Sequence, residues 1–108
     1  MILPLGYWYL FAEAELELGH DQAALDWALR ANAFMPGSPL VQAWLASIYA
    51  TAGDEPNAAK YVTELRKMAP DRTRLFTKRL IEDSSSRNAG RRLRIFDGLR
   101  LALSSSLG

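Results

Sequence analysis

The sequence contains no cysteine and only one histidine among its 108 residues. Without cysteine, disulfides, thiolate catalysis and cysteine-type zinc sites are excluded. The one histidine, His20, cannot form an ordinary zinc site by itself, and no serine and carboxylate are spaced to make a catalytic set with it. The glycines are not arranged as a phosphate-binding loop. We therefore expect no enzymatic activity, no metal and no cofactor.

Long membrane-spanning apolar runs are also missing. The apolar start, residues 1–12, has no basic segment and no small-residue cleavage site, and it continues directly into Glu13, Glu15 and Glu17. Neither a signal peptide nor a membrane span fits this pattern. We therefore expect a cytoplasmic protein with no membrane span.

Neither sign of charge is in clear excess, because the net charge is only +1. The charged residues are nevertheless unevenly distributed along the chain. Residues 1–60 carry seven acidic and two basic side chains, a net charge of −5, whereas residues 61–108 carry eleven basic and five acidic ones, a net charge of +6. This asymmetry fits a chain that pairs head to tail or presents a basic end to a partner, and it equally fits two solvated faces that differ. The basic C-terminal segment has Phe96 as its aromatic residue and no nucleic-acid motif, so we expect no specific nucleic-acid partner.

What the sequence does contain is an internal repeat with an offset of 34 residues. Four pairs of small or chain-breaking residues coincide at this offset: Ala12 with Ala46, Gly19 with Gly53, Ala24 with Ala58, and Pro36 with Pro70. A period of this length is typical of stacked helix–turn–helix units. Alanines allow paired helices to approach, glycines allow the left-handed conformation that ends a helix, and prolines end each unit. The repeat predicts antiparallel helical hairpins at residues 5–33 and 39–69.

Capping residues support the predicted helix starts. Asp21 and Asp54 follow the two glycines and are predicted N-caps of the second helix of each hairpin, while Ser38 precedes a proline at the start of the third helix. After the repeats, we predict a capping helix, a polar linker, and an amphipathic helix with a frayed tail, at residues 71–82, 83–90 and 91–108.

The sequence resembles two tandem tetratricopeptide repeats (TPRs) in the pattern Trp8–Phe11–Ala12–Gly19–Ala24–Ala31–Pro36, followed by Leu45–Ala46–Tyr49–Gly53–Ala58–Pro70. The resemblance implies an all-α fold in which repeat units at residues 5–36 and 39–70, with the capping helix, make a short right-handed solenoid over residues 1–82. One departure is Glu15, where the family usually has an aromatic residue. The segment RRLRIFDGLRLAL also weakly resembles the closing helix of repeat segments in bacterial signalling proteins such as class III nucleotidyl cyclases.

The family resemblance implies a protein- or peptide-binding groove along the first helix of each unit. The residues that it places there are Tyr9, Glu13, Leu16, Glu17, Ala43, Ser47, Arg74 and Lys78. A groove that changes from acidic through small to basic side chains would select a peptide by shape and charge. The alternative is that Glu13 and Glu17 only keep their helix soluble. Our leading hypothesis is a protein–protein interaction or scaffolding module.

The apolar cluster Tyr7, Trp8, Leu10 and Phe11 suggests assembly as an alternative function. Adjacent helical residues point about 100° apart, so these four side chains cannot all face one neighbour. Two repeats are also fewer than the roughly three that such stacks need for stability. We therefore expect a missing upstream repeat or a homodimer at this end, unless the C-terminal helix folds back as the cap. A further alternative is a regulatory C-terminal segment of a larger signalling enzyme.

Overall fold

The computed structural model describes residues 7–84 and 94–105, and these residues contain helices and turns but no strand. The six helices of the described part are α1 Trp8–Glu17, α2 Asp21–Phe34, α3 Pro39–Thr51, α4 Glu55–Met68, α5 Pro70–Ser84 and α6 Arg94–Ser105. The predicted all-α class is confirmed. The predicted helix start at residue 5, the linker residues 85–90, the first predicted turn of the last helix at 91–93 and the end of the tail at 106–108 lie outside the described residues.

The chain reverses at two glycines in the left-handed conformation, Gly19 with φ 82° and Gly53 with φ 83°. In the first reversal the Gly19 N–H donates to the Leu16 carbonyl at 3.0 Å, and the His20 N–H donates to the Glu15 carbonyl at 2.8 Å. The same two hydrogen bonds recur 34 residues later at the end of α3. This pair of bonds satisfies the last carbonyls of a helix when a left-handed residue follows it. The predicted reversals are confirmed.

Side-chain caps begin two of the helices. The Ser38 hydroxyl accepts a hydrogen bond from the Val41 N–H at 3.4 Å at the start of α3. An Asp54 carboxylate oxygen accepts one from the Asn57 N–H at 3.2 Å at the start of α4. Both caps satisfy an N–H group that has no partner inside its own helix, as the sequence predicted.

The predicted N-cap at Asp21 is wrong. Asp21 is the first residue of α2, and His20 stands before it without a side-chain capping hydrogen bond. The carboxylate of Asp21 lies instead 3.4 Å from the Arg94 guanidinium of α6. A contact with a residue distant in the chain therefore replaces the local cap.

The hairpin of α1 with α2 packs through α2 on the hairpin of α3 with α4, and α6 returns along α3. The Gln42 amide on α3 donates to the Asn32 side-chain carbonyl on α2 at 2.9 Å, which links the hairpins. α3 lies at the centre, and nearly every one of its residues from Val41 to Ala50 is buried. A helix covered on two sides by α2 and α4 has one long side left, and α6 lies on that side.

Candidate helix-binding groove

Three small residues of α3 lie under α6. Ala43, Ser47 and Ala50 are spaced four and three positions apart, which places them on one face of the helix, and all three are buried. Ala43 shares a cavity of about 200 Å³ with Leu103 at the C-terminal end of α6. We call this face of α3, together with the C-terminal end of α1, the groove. Its small side chains leave room for the backbone of a second helix.

The two helices approach each other closely at Gly98 and Ser47. A Cβ atom at residue 98 would overlap the Ser47 carbonyl and hydroxyl oxygens and the Thr51 hydroxyl. The Ser47 hydroxyl also donates a buried hydrogen bond to the Ile95 carbonyl of α6. Only glycine fits at residue 98 while this contact is kept, because a carbonyl oxygen within a helix cannot move aside as a flexible side chain can.

Apolar side chains seal the groove on both sides of this contact. Leu99 and Leu103 of α6 are fully buried. The Phe96 ring meets the Trp44 ring edge-on with centroids 6.3 Å apart, and Trp44 meets Trp8 in the same manner at 6.5 Å. α6 covers Trp44, which is 8% exposed.

Acidic and carbonyl oxygens surround Arg94 at the N-terminal end of α6. The Arg94 guanidinium donates to the Leu16 carbonyl and lies 3.4 Å from Asp21 Oδ1. The Arg94 backbone N–H donates to the Glu17 carboxylate. The last carbonyls of α1 carry the negative end of its helix dipole, so this site attracts a cation at the start of the bound helix.

The predicted groove residues fall into two groups in the structure. Leu16, Glu17 and Ser47 contact α6, although the Leu16 side chain itself is buried in the core and only its carbonyl faces Arg94. The members without such a hydrogen bond to α6 include Tyr9 and Glu13, which are half-buried on α1, and Arg74 and Lys78, which are exposed on α5. The sequence analysis missed Gly98, Arg94 and Asp21. A glycine inside an otherwise helical pattern weakens the helix, so Gly98 was a signal to look for a packing reason.

The four predicted assembly residues are also divided. Trp8 is 3% exposed and belongs to the core, where it meets Trp44. Tyr7 and Leu10 are 54% and 50% exposed, and Phe11 is partly exposed. The Phe11 ring stacks on the Trp27 ring of α2 with centroids 4.9 Å apart. Tyr7, which precedes α1, and Leu10 and Phe11 on α1 therefore form an exposed apolar surface, which we call the α1 surface.

Comparison with protein-family models, with curated proteins and with solved structures finds no match for this chain. Within residues 7–84 and 94–105, no helix combines the length and the apolar character that crossing a bilayer requires.

Proposed function

We propose that this chain is a protein-interaction module of the TPR type that binds an α-helix of a partner protein in the groove. The observation that carries the proposal is the close approach of Gly98 to Ser47. This contact makes the groove complementary in shape to a second helix. In the structure, α6 supplies that helix from within the same chain. The 34-residue spacing of the two left-handed glycines supports the assignment to the TPR type.

The character of the groove favours a helix over an extended peptide. One way in which an extended peptide binds is as an added strand at a sheet edge, and the described residues contain no strand. A helix satisfies its own backbone and binds through apolar residues three and four positions apart. α6 buries such a set at Ile95, Leu99, Ala102 and Leu103. The groove therefore has the features of a helix-in-groove receptor.

A fluorescent peptide with the sequence of residues 91–108 tests this proposal. In the Gly98→Leu chain the new side chain overlaps Ser47 and releases α6, so fluorescence anisotropy should show that the free peptide binds. Wild-type chain and the Gly37→Leu control should bind the peptide more weakly, because the attached α6 competes at an effective concentration on the order of millimolar. Residue 37 has no neighbouring atom within 4 Å of an added Cβ. A folded Gly98→Leu chain that binds no peptide would contradict the proposal.

Homodimer formation through the α1 surface is a second candidate function. Tyr7 and Leu10 are each at least half exposed, and Phe11 extends the same apolar area towards Trp27 of α2. Contiguous apolar surface of this kind marks interaction sites when it exceeds a few hundred Å². Sedimentation of the wild-type chain at micromolar concentration tests this candidate, with a dimer as the expected species.

A further inference from the structure

We infer that the partner helix carries the pattern of α6, an arginine at its N-terminal end and a glycine four residues later, and that α6 is the competitor of that partner within the chain. This inference rests on the proposed function and specifies its ligand. It follows from two contacts about one helical turn apart, the hydrogen bond of Arg94 with the Leu16 carbonyl and the close packing of Gly98 on Ser47. Each contact excludes a different class of side chain.

The arginine position is defined by oxygens on three sides. The Leu16 carbonyl accepts from the guanidinium, Asp21 lies 3.4 Å from it, and Glu17 accepts from the backbone N–H of the same residue. A guanidinium presents several N–H donors in a fixed plane, so it contacts a carbonyl and a carboxylate at once. The ammonium of lysine is a compact charge on a flexible stem and fits this arrangement less well. The site therefore selects arginine over lysine and over neutral residues.

The backbone of α3 determines which residue fits at the glycine position. An added Cβ at residue 98 would overlap the Ser47 carbonyl oxygen, which is held within α3 and also accepts a hydrogen bond from the Thr51 hydroxyl at 2.9 Å. A helix with alanine at this position would have to move away from α3. That movement would loosen the contacts of Ile95 and Leu99, which are fully buried on either side of the glycine. The site therefore excludes every residue larger than glycine.

The remaining positions of the pattern follow from burial along α6. Apolar residues are required where Ile95, Leu99 and Leu103 are buried, and a small residue is required at Ala102. The cavity of about 200 Å³ beside Leu103 leaves space for a larger apolar side chain at that position. By contrast, Ser104 is exposed and adds no requirement. An aromatic residue is required at Phe96, whose ring meets Trp44. The partner helix thus reads Arg, apolar, aromatic, one position that the pattern leaves open, Gly, apolar, two positions that it leaves open, small, apolar.

The role of α6 as a competitor follows from its attachment to the chain. Residues 85–93 join the end of α5 to the start of α6, so α6 never leaves the neighbourhood of its own groove. Short connections of this kind give effective concentrations on the order of millimolar. A partner helix in solution occupies the groove when it binds more tightly than the attached α6 or when α6 is released.

The test measures four fluorescent peptides of residues 91–108 against the Gly98→Leu chain by anisotropy. The Gly98→Ala peptide should bind more weakly than the wild-type peptide, by up to about thirtyfold, because the overpacking penalty outweighs the helix propensity that alanine gains. The Arg94→Lys peptide should bind several-fold more weakly, and the Ser104→Ala peptide should bind as the wild type does. Equal binding by all four peptides would overturn the inference while leaving the proposed function standing. Binding by none of them would overturn the proposed function itself.

A reciprocal change in the receptor separates a specific arginine site from general charge attraction. With Asp21→Asn added to the Gly98→Leu chain, the wild-type and Arg94→Gln peptides should bind with closer affinities than they do to the chain that keeps Asp21. An unchanged ratio would overturn the arginine site. If circular dichroism shows that Gly98→Leu unfolds the chain, the same peptides compete in excess against the attached α6 of the wild-type chain. The order of their affinities then supports or overturns the pattern in the same way.

Discussion

Gly98 of α6 lies directly on Ser47 of α3, with the Ser47 hydroxyl donating to the Ile95 carbonyl one turn earlier. These residues are 51 positions apart in the chain, yet their contact sets the distance between the two helices. A glycine inside a helix costs roughly 1 kcal/mol relative to alanine, so α6 is a weaker helix by itself than it would be with alanine. The close packing against α3 offsets that cost.

Replacing Gly98 with alanine should therefore lower the melting temperature despite the gain in helix propensity. Overpacking costs about 1–3 kcal/mol in a buried contact, and most of that range exceeds the roughly 1 kcal/mol gained in propensity. The matched control is Gly37→Ala, since an added Cβ there meets no atom within 4 Å. Calorimetry that finds Gly98→Ala more stable than Gly37→Ala would contradict the close contact.

Gly53→Val should destabilise the hairpin of α3 and α4. At φ 83° a β-branched residue pays the full steric penalty of the left-handed conformation, about 1–2 kcal/mol. A loss of 1 kcal/mol lowers the melting temperature of a domain near this size by roughly 4–8 °C. Gly37→Val is again the control, and thermal melting followed by circular dichroism is the measurement. Equal melting temperatures for the two variants would mean that residue 53 does not require a left-handed backbone.

Arg94→Ala should loosen α6 by a modest, salt-dependent amount. The Arg94 and Asp21 side chains are 37% and 32% exposed, so solvent screens their attraction, and pairs of this kind contribute about 0.2–1 kcal/mol. Urea melts should show that the unfolding free energies of the wild-type chain and of Arg94→Ala become more similar as the ionic strength increases. A constant difference between them would indicate that the carbonyl contact with Leu16, and not charge, holds Arg94.

Tyr49 gives the chain a dependence on alkaline pH. Burial raises the pKa of Tyr49 above its ordinary value of 10.0, and the neighbouring Tyr61 and Asp54 add to the effect. The unfolded chain therefore releases this proton first, so the stabilisation is fully present below about pH 10 and declines as the pH rises through the folded pKa. Tyr49→Phe should reduce the fall in unfolding free energy above pH 10. Denaturant melts across that range that run parallel for both chains would exclude Tyr49 as the cause.

Leu10→Glu should convert a dimer into a monomer if the α1 surface mediates assembly. Leu10 is 50% exposed, so the substitution places a charge on that surface without opening the core. Leu75→Glu on α5 is the control, because Leu75 is 54% exposed and lies on a different helix. Sedimentation velocity at micromolar concentration should find the wild type and the control as dimers and Leu10→Glu as a monomer. A wild-type monomer would contradict assembly through this surface.

Local signals predicted the hairpins, whereas they could not place the last helix. Gly19, Gly53 and Ser38 act on the residues beside them, so a period and a capping rule are enough to identify their roles. The contacts of Arg94 with Asp21, and of Phe96 with Trp44, join segments more than 50 residues apart. No repeat partner or spacing rule links those segments. Sequence reasoning therefore identified an amphipathic last helix and several groove residues. It considered that this helix folds back onto the apolar N-terminal end, but it did not place the helix along α3.

Arg94 and Gly98 are about one helical turn apart, so their two contacts fix the position of α6 along α3. Each additional helical residue advances the chain by about 1.5 Å and rotates it by about 100°, so one inserted residue between them would displace the arginine from α1 whenever the glycine stays on Ser47. The same geometry opposes sliding of α6 along α3, because sliding would present a side chain to the Ser47 carbonyl. Binding in the opposite direction would keep the glycine on Ser47 but would move Arg94 away from the Leu16 carbonyl at the end of α1. The groove therefore distinguishes helices of equal hydrophobicity by their direction and by their register.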